Sequence, residues 1–238
     1  MQLNSSGSIP VLILRRSSLW LAGFLLVVVS AFPLGELDIR FAVMQQRMTE
    51  RFDDTAVQRL LAWQQQLTAV RDKPEIEQIR QMNAFFHQHV RYRTDQALYG
   101  ETDYWSTPLE LLGHGLGDCE DWAIAQYISL RQLGIDDRKL RLIYVRARIG
   151  GPQSSLSEAH MVLGYYSRPD AQPLIVDSLI SQILPASERT DLTPVFSFNS
   201  AGLWAGQGPQ QATTSPTARL SRWRSVLERM QAEGVNFR

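Results

Sequence analysis

The feature that most constrains this chain is a change of hydrophobic period near residue 140. Upstream, apolar residues recur at helical spacing. Val57, Leu60, Leu61, Leu67 and Val70 follow Asp53-Asp54-Thr55, which reads as a helix start, with Trp63 less well placed on the stripe. Ile76, Ile79, Met82, Phe85, Phe86 and Val90 follow Pro74, a residue tolerated in a first helical turn. Thr107-Pro108-Leu109-Glu110 is a third start, with Thr107 as its cap. Downstream the segments Leu140 to Ile149, His160 to Tyr166 and Leu174 to Leu179 are rich in strand formers. Helices first and antiparallel strands afterwards predict an α+β domain, helices packed on an antiparallel sheet.

The two ends of the chain differ from this middle. Arg15 and Arg16 precede an apolar run from Leu19 to Phe32, and Val29-Ser30-Ala31 offers small residues at cleavage spacing. That pattern predicts a secretory signal over residues 1–31, with an uncleaved membrane anchor as the alternative. Residues 50–204 are then the expected catalytic domain. Residues 205–238 comprise a polar linker, Gly206 to Thr217, and an amphipathic helix from about Leu220 to Met230. With 24 basic and 24 acidic residues the chain carries no net charge, which argues against nucleic acid or an anionic surface as its main partner.

Export makes the single cysteine informative, because Cys119 has no partner for a disulfide within the chain. It is either a reactive thiol or a buried, inert one. Gly113-His114-Gly115-Leu116-Gly117 predicts a loop, and Asp118-Cys119-Glu120-Asp121 then opens a helix that stops at Gly134. A helix N-terminus favours the thiolate. Cysteine hydrolysis also needs a proton carrier and a group that holds that carrier. His160 and Asp177 are the candidates. A turn over Ser167-Arg168-Pro169-Asp170 would pair Tyr166 with Ala171 and set His160 directly opposite Asp177. A turn shifted to Pro169–Gln172 would spoil that pairing. Asp177 also lies between Val176 and Ser178 in an apolar strand, where a carboxylate needs a partner.

Asp118, Glu120 and Asp121 place three negative charges around a group that must ionise, which disfavours the thiolate. A bound divalent cation would reverse that field, and carboxylates are hard ligands suited to calcium. Simple placement of acids at a helix N-terminus is the competing explanation. His114 is a candidate to line the cleft or merely a solvated loop residue. His87 and His89, two apart on a helix, point to different faces and make a poor metal site. Tyr104 and Trp105 are candidates to wall the cleft or to join the core.

Gly117-Asp118-Cys119-Glu120-Asp121, Glu158-Ala159-His160-Met161-Val162, Val176-Asp177-Ser178 and the upstream Tyr104-Trp105-Ser106-Thr107-Pro108-Leu109-Glu110 together resemble the bacterial transglutaminase-like cysteine proteinases, in particular their LapG-type periplasmic adhesin-cleaving branch. The resemblance covers roughly Thr55 to Leu203. It implies a papain-like core with Cys119 as nucleophile, His160 as general base and acid, Asp177 as orienting group, and calcium (Ca2+) bound by Asp118, Glu120 and Asp121. It further implies a periplasmic enzyme that cuts the N-terminal region of a large surface adhesin at a di-alanine-containing site and so disperses biofilm. Its implied partner is a LapD-type cyclic-di-GMP receptor in the inner membrane, which sequesters the protease. The same three catalytic residues would equally serve a transglutaminase or a deamidase, and a binding module that merely keeps the fold would use none of them.

Overall fold

The computed structural model describes residues 1–2, 37–151, 153–168, 170–206 and 215–237. The chain divides after Phe32, and the unit Pro33–Arg238 contains every element below. Apart from Met1 and Gln2, the expected signal segment lies outside the described residues, as does the Gly206–Thr217 stretch over 207–214. Among the described residues no helix is long and apolar enough to cross a membrane.

A short strand β1 (Leu37–Ile39) leads into α1 (Phe41–Arg51), α2 (Asp54–Val70) and α3 (Glu75–His89). Asp53 caps α2 by accepting the Ala56 N–H at 2.9 Å. The buried stripe of α2 is Ala56, Leu60, Trp63, Leu67 and Val70, so Trp63 stands at its centre rather than off it. The Trp63 indole N–H donates to Ser129 Oγ at 2.9 Å, satisfying the polar atom that such a deep tryptophan carries inward. After β2 (Arg91–Tyr92) and α4 (Asp95–Leu98) comes α5 (Pro108–His114), where Thr107 and Glu110 form a reciprocal capping box.

The glycine-rich run is not the open loop expected. Gly113 and His114 complete α5, the helix stops at Gly115, and Leu116–Gly117 form β3, parallel to β2. A Cβ at Gly113 would lie 2.5 Å from Phe52 Cζ, so glycine is there to let a ring pack on the helix. The His114 ring meets Phe52 and Tyr99 edge-on at 5.1 and 5.6 Å instead of lining a cleft. Next, α6 (Cys119–Gln132) is buried on all sides, the mark of a helix at the centre of a core.

The strands follow: β4 (Leu140–Arg148), β5 (Ser157–Tyr165), β6 (Leu174–Val176), β7 (Leu184–Pro185), β8 (Leu192–Phe198) and β9 (Leu203–Ala205). They form one antiparallel sheet in the order β7-β6-β5-β4-β8-β9. Leu140, Leu142, Met161, Leu163, Tyr165 and Phe198 carry the inner face into the core shared with the helices. This is the α+β architecture expected from the change of period.

The β5–β6 register is two residues away from the expected one: Leu163 pairs with Val176, Gly164 with Ile175 and Tyr165 with Leu174. The Ala171 N–H donates back to Arg168 O at 2.9 Å and closes a turn of its own, so the chain re-enters the sheet only after Pro173, which has no N–H to give the ladder. The strand also stops at Val176 rather than Leu179. Asp177 Oδ1 accepts the Leu179 N–H at 3.0 Å, an Asx turn that diverts the backbone.

The chain closes with α7 (Pro216–Arg219), α8 (Ser221–Ala232) and β10 (Val235–Phe237), and β10 pairs with β1. Trp223, Val226 and Met230 of α8 are fully buried. Trp223 sits edge-on to Phe198 at 5.3 Å and to Tyr127 at 6.0 Å. The packed unit therefore extends on both sides of the 50–204 span expected from sequence. A polar segment between Gly206 and Thr217 gives no sequence sign that the helix beyond it returns to the same core.

Candidate active site

Cys119 opens α6, as expected, and is 8% exposed. Gly117 permits the tight entry: a Cβ there would lie 2.5 Å from Leu111 Cδ1 and 2.7 Å from Asp121 Oδ2. Asp118 is the N-cap, in a capping box with Asp121.

On the sheet, His160 Nε2 lies 2.8 Å from Asp177 Oδ1, both residues buried. A carboxylate only accepts, so His160 carries a proton on Nε2 and its Nδ1 is left for other chemistry. Asp177 is held from several sides. Arg189 Nη2 is 2.8 Å from its Oδ2 as an ion pair. His87 Nε2 donates to its backbone carbonyl at 3.1 Å, and the His87 ring packs edge-on against Trp122 at 4.7 Å. Burial alone would raise the Asp177 carboxyl, but the His160 hydrogen bond and charge, with the Leu179 N–H and Arg189, outweigh it and hold the group below the usual carboxylate range.

The thiol and the imidazole are brought to neighbouring elements, because α6 packs on β5, and the backbone N–H of Met161, the residue after His160, favours the Cys119 anion. The thiol's hydrogen-bond partner is not the imidazole. Cys119 Sγ donates to Glu120 Oε2 at 2.8 Å, and among the described residues no hydrogen bond joins Cys119 to His160. Burial first, and then the Glu120 charge and hydrogen bond, push the thiol well above its ordinary value. The charge conflict read from the sequence is real.

The acidic cluster is larger than the sequence indicated. Ligand-type atoms of Asp95, Asp118 and Asp121 lie within 4.8 Å of one another, as do those of Asp95, Asp103 and Glu120, and those of Asp118, Cys119 and Glu120. Asp95 and Asp103 carry no sequence signal of this role, because neither belongs to a motif and only the fold brings them to the acids beside Cys119. Within that cluster Asp121 is also engaged by the backbone: its Oδ1 accepts the Ser106 N–H at 2.7 Å and its Oδ2 the Asp118 N–H at 3.2 Å. By contrast, Asp95 Oδ1 and Asp118 Oδ1 are buried with no hydrogen-bond partner among the described residues. Burial and neighbouring charge push Asp118 up to about 8 and Glu120 up to about 7. Two buried oxygens without donors, among carboxylates that repel each other, fit a hard divalent cation.

Tyr104 and Trp105 do not wall the site freely. The Tyr104 hydroxyl donates to Glu110 at 3.0 Å, beside Arg229, and Trp105 stacks on Phe198 at 5.7 Å.

A cysteine at the start of a buried helix, packed on an antiparallel sheet that carries a histidine–aspartate pair, defines a cysteine-proteinase fold of the transglutaminase-like kind. The chain belongs to the bacterial transglutaminase-like cysteine proteinases, whose family model matches residues 54–196. Solved structures of Legionella pneumophila LapG are similar to it. One is 36% identical with a TM-score of 0.66, over 80% of this chain and 97% of that one. An EGTA-treated form, also 36% identical, gives a TM-score of 0.68 over 80% and 97%. A calcium-bound form gives 37% identity and a TM-score of 0.67, over 80% and 98%. No curated protein sequence matches the chain.

Proposed function

We propose that this protein is a calcium-dependent periplasmic cysteine endopeptidase that cleaves the N-terminal region of a large surface adhesin, releasing it and promoting biofilm dispersal. The observation that carries the reading is the His160–Asp177 contact at strand β5, which packs against α6, the helix that Cys119 opens. Membership of the proteinase family and the likeness to LapG support it.

In this mechanism Asp177 keeps the His160 proton on Nε2, so the Nδ1 lone pair takes the proton from Cys119 Sγ. The thiolate attacks the scissile carbonyl carbon, and the carbonyl oxygen takes up the negative charge. Collapse breaks the C–N bond while the imidazolium protonates the departing amine. Water, deprotonated by Nδ1, then hydrolyses the thioester and returns the proton to sulfur. The Met161 N–H favours the sulfur anion at the first and last steps. Asp95, Asp118 and Glu120 would hold calcium, as the calcium-bound LapG structure suggests by likeness, with Asp103 at the edge of the group. When bound, the ion supplies the positive charge that lets those carboxylates stay ionised beside the thiol. Asp121, which the resemblance places among the ligands, lies within 4.8 Å of Asp95 and Asp118 and also accepts two backbone N–H groups that fix the start of α6.

The N-terminal apolar segment would direct export to the periplasm, and a LapD-type cyclic-di-GMP receptor would be the sequestering partner. The test is to incubate the purified protein with the N-terminal fragment of an adhesin from the same organism, with calcium or with EGTA, and to identify products by mass. Peptide scission that needs calcium and disappears in Cys119→Ala is the expected result. Scission by Cys119→Ala would remove the nucleophile, and a deamidated or crosslinked product in place of scission would change the reaction.

A further inference from the structure

On the outer face of the sheet, away from α6, lies a cleft of about 610 Å³. Its floor is a second, separate apolar cluster: Ile143, Val145, Val162 and Ile175. Two arginines line it, Arg141 and Arg189, exposed by only 8% and 6%. Their situations differ. Arg189 pairs with both Asp177 and Asp191 at 2.8 Å, so its charge is met. Arg141 lies between two rings, its guanidinium carbon 4.6 Å from the Tyr166 centroid and 4.1 Å from that of Trp204. Among the described residues its Nε has no hydrogen-bond partner and no carboxylate forms an ion pair with it. Asp170, the acidic residue lining the cleft, is turned to solvent and pairs instead with Arg168 at 3.4 Å.

Two aromatic faces orient a guanidinium and partly offset its charge, and the Tyr166 hydroxyl oxygen accepts a hydrogen bond from it, but neither ring supplies an anion and Nε is left unused. A nearly buried cation without an anion is costly to fold and finds its complement in a ligand. The volume suits a small organic molecule or a pair of residues.

We propose that this cleft is a binding site for a carboxylate carried on an apolar body, the carboxylate pairing with Arg141 and the apolar part covering Ile143, Val145, Val162 and Ile175. The carboxylate belongs either to a free organic acid or to a glutamate in a peptide, and the two sources present the same chemistry to Arg141. The cleft touches the proposed catalytic group through Arg189, which pairs with Asp177, but binding at Arg141 can be measured whether or not the chain cleaves an adhesin.

The test is calorimetric titration and NMR line-shape analysis of the purified wild-type chain with 4-phenylbutyrate and with acetyl-Phe-Glu-amide. Each is compared with a neutral counterpart, 4-phenylbutanamide or acetyl-Phe-Gln-amide. Either acid is expected to bind at least tenfold more tightly than its amide and to perturb the Trp204 indole resonance; whichever does so names the source. Arg141→Met, which keeps most of the side chain's length between the rings, should abolish that preference. Equal binding of acid and amide by the wild type, or binding of neither acid at millimolar concentration, would overturn the proposal without reference to any variant. An acid preference retained in Arg141→Met would overturn it as well.

Discussion

His160 Nε2 and Asp177 Oδ1 meet at 2.8 Å although the ladder between their strands ends one residue before Asp177. Continuing that ladder would place Asp177 beside Val162, one diagonal step from His160 on the same face, within reach of an imidazole. What fixes the aspartate is therefore not strand pairing. It is the Asx turn to Leu179, the Arg189 ion pair and the His87 hydrogen bond to its carbonyl.

Asp177→Asn keeps the shape but removes the charge and offers an N–H where only an acceptor fits. With the reaction proposed, kcat for fragment cleavage is expected to fall by about 10²-fold or more. Circular dichroism should show the fold retained. A loss of less than about threefold would remove Asp177 from its orienting role.

His87→Phe keeps a ring against Trp122 and deletes only the hydrogen bond to the Asp177 carbonyl. As a positioning residue, His87 is expected to contribute to kcat while KM stays near its wild-type value, with a loss of about tenfold from a loosened His160–Asp177 pair. His87→Gln, which can still donate to the carbonyl, should restore much of the rate. Equal losses in both variants would assign His87 to packing alone.

Burial and neighbouring charge raise the Asp118 and Glu120 carboxyls in the calcium-free protein, to about 8 and about 7. Their pKa values are raised on folding, so the stability they contribute is present below their ordinary range and is lost as pH rises toward about 8. Thermal unfolding in EGTA should therefore show falling stability from about pH 5 to pH 8, and calcium should suppress the decline. Calcium binding should also release protons, seen as a buffer-dependent binding enthalpy near pH 7. No buffer dependence would mean that these carboxylates are already ionised.

Asp95→Asn and Asp121→Asn separate ligand from cap. Asp95 Oδ1 has no hydrogen-bond partner among the described residues, so its variant should weaken calcium's stabilisation of the fold, by about 1–2 kcal/mol at a fixed ion concentration. Asp121 serves two backbone amides, so its variant should lower stability by about 1–2 kcal/mol with or without calcium. The reverse pattern in thermal shifts would exchange the two roles.

Gly113→Ala places a methyl against the Phe52 ring, where 2.5 Å separates Cβ from Cζ. A loss of about 1–3 kcal/mol is expected in urea unfolding. Pairing it with Phe52→Leu should recover part of that loss. Strict additivity would show that the clash is relieved elsewhere.

By itself the sequence determined what is local. Asp53 and Thr107 mark helix starts because a side-chain oxygen beside free backbone N–H groups acts within one turn. The change of period near Leu140 likewise fixes where sheet replaces helix. It marked Cys119, His160 and Asp177 as one group, and the tertiary structure joined the last two. Tertiary structure alone decided the rest. The β5–β6 register hung on a turn and a proline that sequence left ambiguous, and Trp63 gained its central place only by facing Ser129. Asp95, His87, Arg189 and Trp223 come from segments far apart in the chain, and neither spacing nor motif marks them. Contacts of that kind exist only once the chain has collapsed around α6, because packing, unlike capping, depends on what arrives from the other side.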